Sequence, residues 1–271
     1  MSIKHMSFRV IGFYLALVLI IILTNPVFGQ QTKSAPAAKY DLYLLIGQSN
    51  MAGRGNIEAQ DTVTDPNVFM LNKENKWVPA KSPLHFDKPM AGTGLGLTFG
   101  KTMAQKDKRK IGLIPCAVGG TSISQWMPNS YDKVTNTHPY NDAIRRTKIA
   151  LHDGQLKGIL WHQGEGDASK ERVPFYEQRF DSLLVNLQKE LQFDISKLPI
   201  VVGELGQFYV EKNPKAKEIN QVLKHISKTH PNIALVTSKG LTHKGDTVHF
   251  DAGSQRTLGQ RFAQKMIKLQ K

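Results

Sequence analysis

A three-layer α/β domain with a central parallel sheet is predicted from three observations. Five short apolar runs punctuate the chain, longer amphipathic stretches separate them, and no linker divides the sequence from Tyr40 onward. The 271 residues, 40% hydrophobic and 21% charged, are those of an ordinary globular chain. A chain of this size buries roughly 70–75% of the surface its unfolded form exposes, so a core forms without staples. The single cysteine, Cys116, excludes an internal disulfide framework and a four-cysteine zinc site.

Residues 1–29 are set apart from the domain. Lys4 and Arg9 precede an apolar run over 10–23, whose 14 residues fall short of the ~20 needed to span a bilayer. Val27 and Gly29 place small residues at −3 and −1 of a signal-peptidase site, so a signal peptide cleaved before Gln30 is expected. An uncleaved N-terminal anchor is the competing reading. The expected product is exported, periplasmic or extracellular, with no membrane association after cleavage. A polar tether over 30–39 then leads into one domain over 40–271.

Within that domain the apolar runs at 42–46, 111–118, 158–161, 199–202 and 233–236 are too short for helices and lack polar alternation. They read as strands buried on both faces. A glycine-rich stretch over 92–96 leads into a helix at about Leu97. Tyr140, Ile144 and Leu151 mark a second helix. Tyr176, Phe180, Leu183, Leu184, Leu187 and Leu191 recur at helical spacing behind Pro174, which suits a first helical turn. Leu258, Phe262, Met266 and Leu269 repeat the pattern, with Asp251 as the expected N-cap. Cys116 lies inside the second run and reads as a buried, inert thiol.

The formal charge of +14, from 36 basic and 22 acidic residues, is scattered rather than gathered in an arm. Nucleic acid is therefore not the expected partner; a field of this sign draws a protein toward anionic polysaccharide or an anionic envelope. Gly96-Leu97-Thr98-Phe99-Gly100-Lys101-Thr102 has three residues between its glycines where a phosphate loop needs four. No histidine pair has metal-ligand spacing on a helix, so neither cofactor nor metal is expected. Met51 occupies the second glycine position of a lipase-type elbow around Ser49, which argues against the α/β-hydrolase fold.

In open α/β sheets ligands sit outside the carboxyl ends of the strands, and four of those ends are unusually polar here. They read Gly47-Gln48-Ser49-Asn50-Met51-Ala52-Gly53-Arg54-Gly55, then Gly119-Gly120-Thr121-Ser122, then His162-Gln163-Gly164-Glu165-Gly166-Asp167, and finally Asp246-Thr247-Val248-His249. Serine hydrolysis requires a base, a group orienting that base, and donors for an oxyanion. Ser49 can supply the hydroxyl, His249 the base, and Asp246, three residues earlier, the orienting carboxylate. Gly120 offers a backbone N–H and Gln163 an amide N–H. Each signal alone has a plain structural reading, as a turn serine or a surface Asp-x-x-His pair.

Together the four blocks resemble the SGNH hydrolases, and within them the branch of acetylxylan esterases of carbohydrate esterase family six and sialate O-acetylesterase-like proteins. The resemblance runs from about Tyr40 to the C-terminus. It implies a flavodoxin-like α/β/α sandwich, a Ser49–His249–Asp246 triad, and Ser49, Gly120 and Gln163 around the oxyanion. The chain departs from the wider superfamily in reading Gly-Gln-Ser rather than Gly-Asp-Ser, and in lacking an Asn in the third block.

Gln48, Asn50, Arg54 and Glu165 are further candidates for substrate contact or for support of the site. For Glu165 a structural salt bridge is the alternative; for Arg54 it is pinning the loop after Ser49 through backbone carbonyls. Trp126 is either a sugar platform or a buried aromatic. His243 reads as a loop residue, and His162 faces the site without an assigned role. The expected activity is a secreted serine esterase removing O-acetyl groups from a polysaccharide or oligosaccharide. Acetylated xylan is the first substrate and O-acetylated sialic acid the second. A carbohydrate-binding protein that has lost catalysis is the reading from another class.

Overall fold

The computed structural model describes residues 39–271; the expected signal peptide and the tether up to residue 38 lie outside the described residues. The chain runs β1 (Tyr40–Gly47), α1 (Ser49–Ala52), α2 (Ala59–Thr62), β2 (Val68–Leu71), β3 (Trp77–Pro79), α3 (Leu95–Asp107), β4 (Ile111–Pro115), α4 (Pro139–Ala150) and β5 (Gly154–His162). It continues through α5 (Tyr176–Leu191), β6 (Ile200–Gly203), α6 (Gln207–Lys212), α7 (Lys215–Thr229), β7 (Ile233–Val236) and α8 (Ala252–Leu269). One sheet has the order β3-β2-β4-β1-β5-β6-β7. Every pairing is parallel except the β2–β3 hairpin.

All five apolar runs are strands. The second ends as a strand at Pro115, which has no N–H to continue the ladder; Cys116 and Val118 still donate to Leu45 O and Gly47 O at 2.9 and 3.0 Å. Two further strands, β2 and the edge strand β3, lie beyond those expected. They are only four and three residues long.

Period-2 alternation beneath two covered faces explains why β1 is unbroken by polar residues from Leu42 to Ile46. Leu42, Leu44 and Ile46 join a core with Tyr140, Ile144, Phe180, Leu187, Ile219 and Leu223 beneath α4, α5 and α7. Tyr43 and Leu45 join the opposite core, with Phe99, Met103, Leu258, Phe262 and Met266 beneath α3 and α8. Pro174 sits in a 3-10 turn over Val173–Phe175, immediately before α5. Asp251 caps α8 as expected, its side chain accepting from Ser254 N.

Ranked by chain position, the five long-expected strands β1, β4, β5, β6 and β7 lie in the order 2-1-3-4-5, the flavodoxin-like arrangement whose switch point falls beside the first strand. There β1 and β5 leave the sheet side by side. Gly47 adopts φ +132°, and a Cβ on it would meet His162 O at 2.2 Å. Only glycine allows the two exits to approach so closely. Among the described residues no helix is long and apolar enough to cross a membrane.

Candidate active site

Ser49 is the first residue of the short helix α1, directly after β1. Its Oγ lies 3.0 Å from His249 Nε2, and His249 Nδ1 lies 2.7 Å from Asp246 Oδ2. Thr247, at φ 59°, carries the loop through a left-handed turn that folds Asp246 back on His249. The other Asp246 oxygen accepts from Val248 N and His249 N at 2.9 and 2.8 Å. Partial burial alone would raise the Asp246 carboxyl, but the His249 backbone and ring and the Val248 N–H outweigh it and hold the group at about 2. A permanently ionised Asp246 fixes the proton on Nδ1 and leaves Nε2 as the acceptor facing Ser49.

Asn50, next to the serine, brackets the histidine. Its Nδ2 donates to Val248 O at 3.1 Å and its Oδ1 accepts from Phe250 N at 3.1 Å, one residue to either side of His249. The same Nδ2 donates to Glu165 Oε1 at 2.5 Å. Glu165 is buried, and that burial lifts its carboxyl to about 7 against the opposing Asn50 bond. No basic partner reaches it among the described residues, so the salt-bridge reading of Glu165 is corrected to a neutral or singly bonded carboxyl behind Asn50.

The N–H groups of Ser49 and Gly120 meet no acceptor among the described residues, and Gly120 turns at φ +86°. Both are therefore open for an oxyanion. The expectation of a third donor at Gln163 is corrected. Gln163 is fully buried, and its amide nitrogen is spent on Asp167 Oδ2, Thr121 O and Gln48 Oε1 at 2.6, 3.0 and 3.2 Å. Gln48 likewise turns inward, accepting from Gly166 N at 3.1 Å, so both glutamines brace the strand exits instead of meeting substrate.

Arg54 is also withdrawn from solvent. It donates to Gly53 O at 2.8 Å, the loop-pinning role, and pairs with Asp87 at 2.6 Å. Trp126 is buried edge-on to Trp161 and donates to Thr121 Oγ1 at 3.1 Å, which removes it as a sugar platform. His162 is packed between Phe250 and Phe262, and burial lowers it to about 4; it belongs to the core and not to the site. It is the last residue of β5, and the alternation of that strand turns its side chain toward the same core as Leu160. His243 shapes the loop that carries Asp246 and His249, accepting from Gly245 N and Thr247 N at 2.9 and 3.2 Å. Cys116 is buried, which pushes its thiol up, as expected of an inert cysteine. Lys88, absent from the sequence reading, brings its ammonium within 3.6 Å of the place a Gly120 Cβ would occupy.

Comparison with known proteins adds to this geometry. Residues 39–268 match the family described as carbohydrate esterase, sialic acid-specific acetylesterase. A probable carbohydrate esterase of Arabidopsis thaliana is 30% identical over 257 residues, covering 86% of this chain and 92% of that one. The solved structure of that Arabidopsis protein superposes with a TM-score of 0.75 at 26% identity, covering 86% of this chain and 99% of the other. A carbohydrate acetylesterase from Xanthomonas citri shares the fold at 19% identity and a TM-score of 0.66, covering 84% of this chain and 56% of its own.

Proposed function

We propose, for a chain that belongs to the sialic acid-specific acetylesterase family of carbohydrate esterases and is therefore a carbohydrate acetylesterase, that the reaction runs through Ser49, His249 and Asp246. The observation that carries the reading is the unbroken contact from Ser49 Oγ through His249 to Asp246, at 3.0 and 2.7 Å. His249 Nε2 takes the Ser49 proton as Oγ attacks the acetyl carbonyl. The N–H groups of Ser49 and Gly120 receive the developing oxyanion. His249 then protonates the departing sugar oxygen, and water repeats the cycle on the acetyl-serine to release acetate. Asp246 stays ionised and stabilises the imidazolium in between.

Acetylated xylan and O-acetylated sialic acid are the two substrates considered. The family's description supports the second, and so does Lys88, whose ammonium lies beside Gly120, helps to hold the Asp132 carboxyl down, and suits a sugar carboxylate. The first rests on the four-block resemblance. Export through residues 1–29 and a single domain over 40–271 belong to the same reading.

Acetate release from both substrates and from an aryl acetate, by the full chain and its Ser49→Ala variant, tests the mechanism and the substrate together. A fall of about 10³-fold or more in the folded variant is expected. Equal rates would remove Ser49 as nucleophile and leave the carbohydrate-binding reading in front. Faster release from acetylated xylan than from the sialic acid would return xylan to first place.

A further inference from the structure

The ion pair between Arg54 and Asp87 has no part in the mechanism above, yet it is more enclosed than the triad. The side chains are 2% and 1% exposed, and the guanidinium meets the carboxylate at 2.6 and 3.4 Å. A buried pair of this kind is weak evidence for stability, because desolvation of both charges consumes most of the attraction; its best-attested use is to fix a register. Here it joins three segments that the sheet alone does not tie together. Arg54 Nη1 donates to Gly53 O at 2.8 Å, in the turn that ends the serine's helix. Asp87 lies on the irregular stretch between β3 and α3. Its Oδ2 also accepts the N–H of Gly119, at 2.8 Å.

Gly119 immediately precedes the residue whose N–H is open to the oxyanion. The guanidinium lies close against it, since a Cβ there would fall 2.2 Å from Arg54 Nη2. The Val118–Gly119 peptide, one before the peptide that carries the Gly120 N–H, is thereby held by a charge-assisted bond whose far end is anchored to the nucleophile's own turn. Oxyanion donors act only if they are already in place when charge develops.

We propose that Asp87, held by Arg54, is a positioning residue of the oxyanion site: it fixes the Gly119–Gly120 turn relative to Ser49 and acts on the rate through the Gly120 N–H. This rests on the serine reading given above. Neither side chain touches substrate, and neither changes protonation in the reaction. The consequence is specific. Loosening the clamp leaves ground-state binding of a small ester intact and weakens only the stabilisation of the tetrahedral state.

The test uses the full chain with Asp87→Asn, Arg54→Lys and Arg54→Met, beside Ser49→Ala. Turnover of an aryl acetate is expressed per serine titrated by a phosphonate, so unfolded molecules do not count. Asp87→Asn and Arg54→Met are expected to lose about 10- to 100-fold in kcat per titrated serine, with KM within a few-fold. Arg54→Lys, which keeps the charge, should recover part of the loss, and the rate of phosphonate labelling should fall in parallel with kcat. A merely structural role would lower the titratable fraction and leave turnover per serine at the parent value, and that result overturns the proposal. Ser49→Ala as active as the parent overturns the serine reading and this proposal with it. Unchanged turnover in Asp87→Asn beside an inactive Ser49→Ala removes the positioning role alone.

Discussion

Asp246 is the residue on which the proposed chemistry is most sharply exposed to test. Four interactions converge on its carboxylate: two backbone N–H groups, the His249 ring, and the charge of that ring once protonated. Asp246→Asn preserves the shape and presents an amide in place of an acceptor, which favours the tautomer with its proton on Nε2, facing the serine. We expect kcat to fall on the order of 10³- to 10⁴-fold while KM changes little, measured on an aryl acetate; a loss below 10-fold would separate Asp246 from the tautomer. At this scale the grouping of Ser49, His249 and Asp246 was legible in the sequence, because hydrolysis demands a few residue types beyond the strand ends, and the structure brings these three within hydrogen-bond reach. Side-chain direction was not legible. Gln163 and Gln48 follow strands and His162 ends one, yet each turns into the protein, where burial with a bonding partner or between rings is the better solution. Asp87 carried no signal at all. Its partner Arg54 is 33 positions away, and no periodicity marks the stretch between β3 and α3.

The elements divide according to length and burial. The five strands were readable because a strand covered on both faces is apolar without interruption, whereas β2, though mostly buried, has only four residues and β3 has three and is partly exposed. Ala216, Ile219, Leu223 and Ile226 of α7 did carry helical spacing, so that helix was there to be found between the fourth and fifth runs. The element with most leverage on the site is α8, whose cap, Asp251, lies two residues after His249. Asp251 accepts from Ser254 N at 2.7 Å and from Thr242 Oγ1, tying the helix start to the strand-like bridge between His243 and Phe250. Asp251→Ala is expected to cost about 1 kcal/mol, seen as a fall of roughly 2–4 °C in Tm for a domain of this size. Turnover per titrated serine should change far less than in Asp87→Asn, because Asn50 holds Val248 and Phe250 independently of the cap. A calorimetric scan beside a titrated rate checks both halves.

For the whole molecule, buried ionisable groups set how stability follows pH. His85 and His162 are both held at about 4, chiefly by burial, below their unfolded value of 6.5. His85 faces Asp87, Arg54 and Arg146, of which only Asp87 opposes the shift. Each histidine therefore contributes stability that is complete above 6.5 and drains away as pH falls toward 4. Glu165 has the opposite sign: at about 7, above its unfolded 4.5, it contributes stability that is complete below 4.5 and is lost as pH rises through 7. Between pH 5 and 6 unfolding thus takes up roughly one and a half to two protons at the histidines and releases close to one at Glu165. The balance, about one proton, makes these groups raise stability with pH by about 1 kcal/mol per unit. The variants separate the contributions by slope and not by absolute stability, so a general loss of packing does not obscure them. Glu165→Gln, which keeps an acceptor for Asn50, should nearly double the slope, and His162→Leu should flatten it. Urea denaturation at half-unit steps across that window measures both. Slopes identical to the parent in both variants would mean that neither group changes its proton affinity on folding, and the pH response would then have to come from the exposed charges, where added salt would screen it.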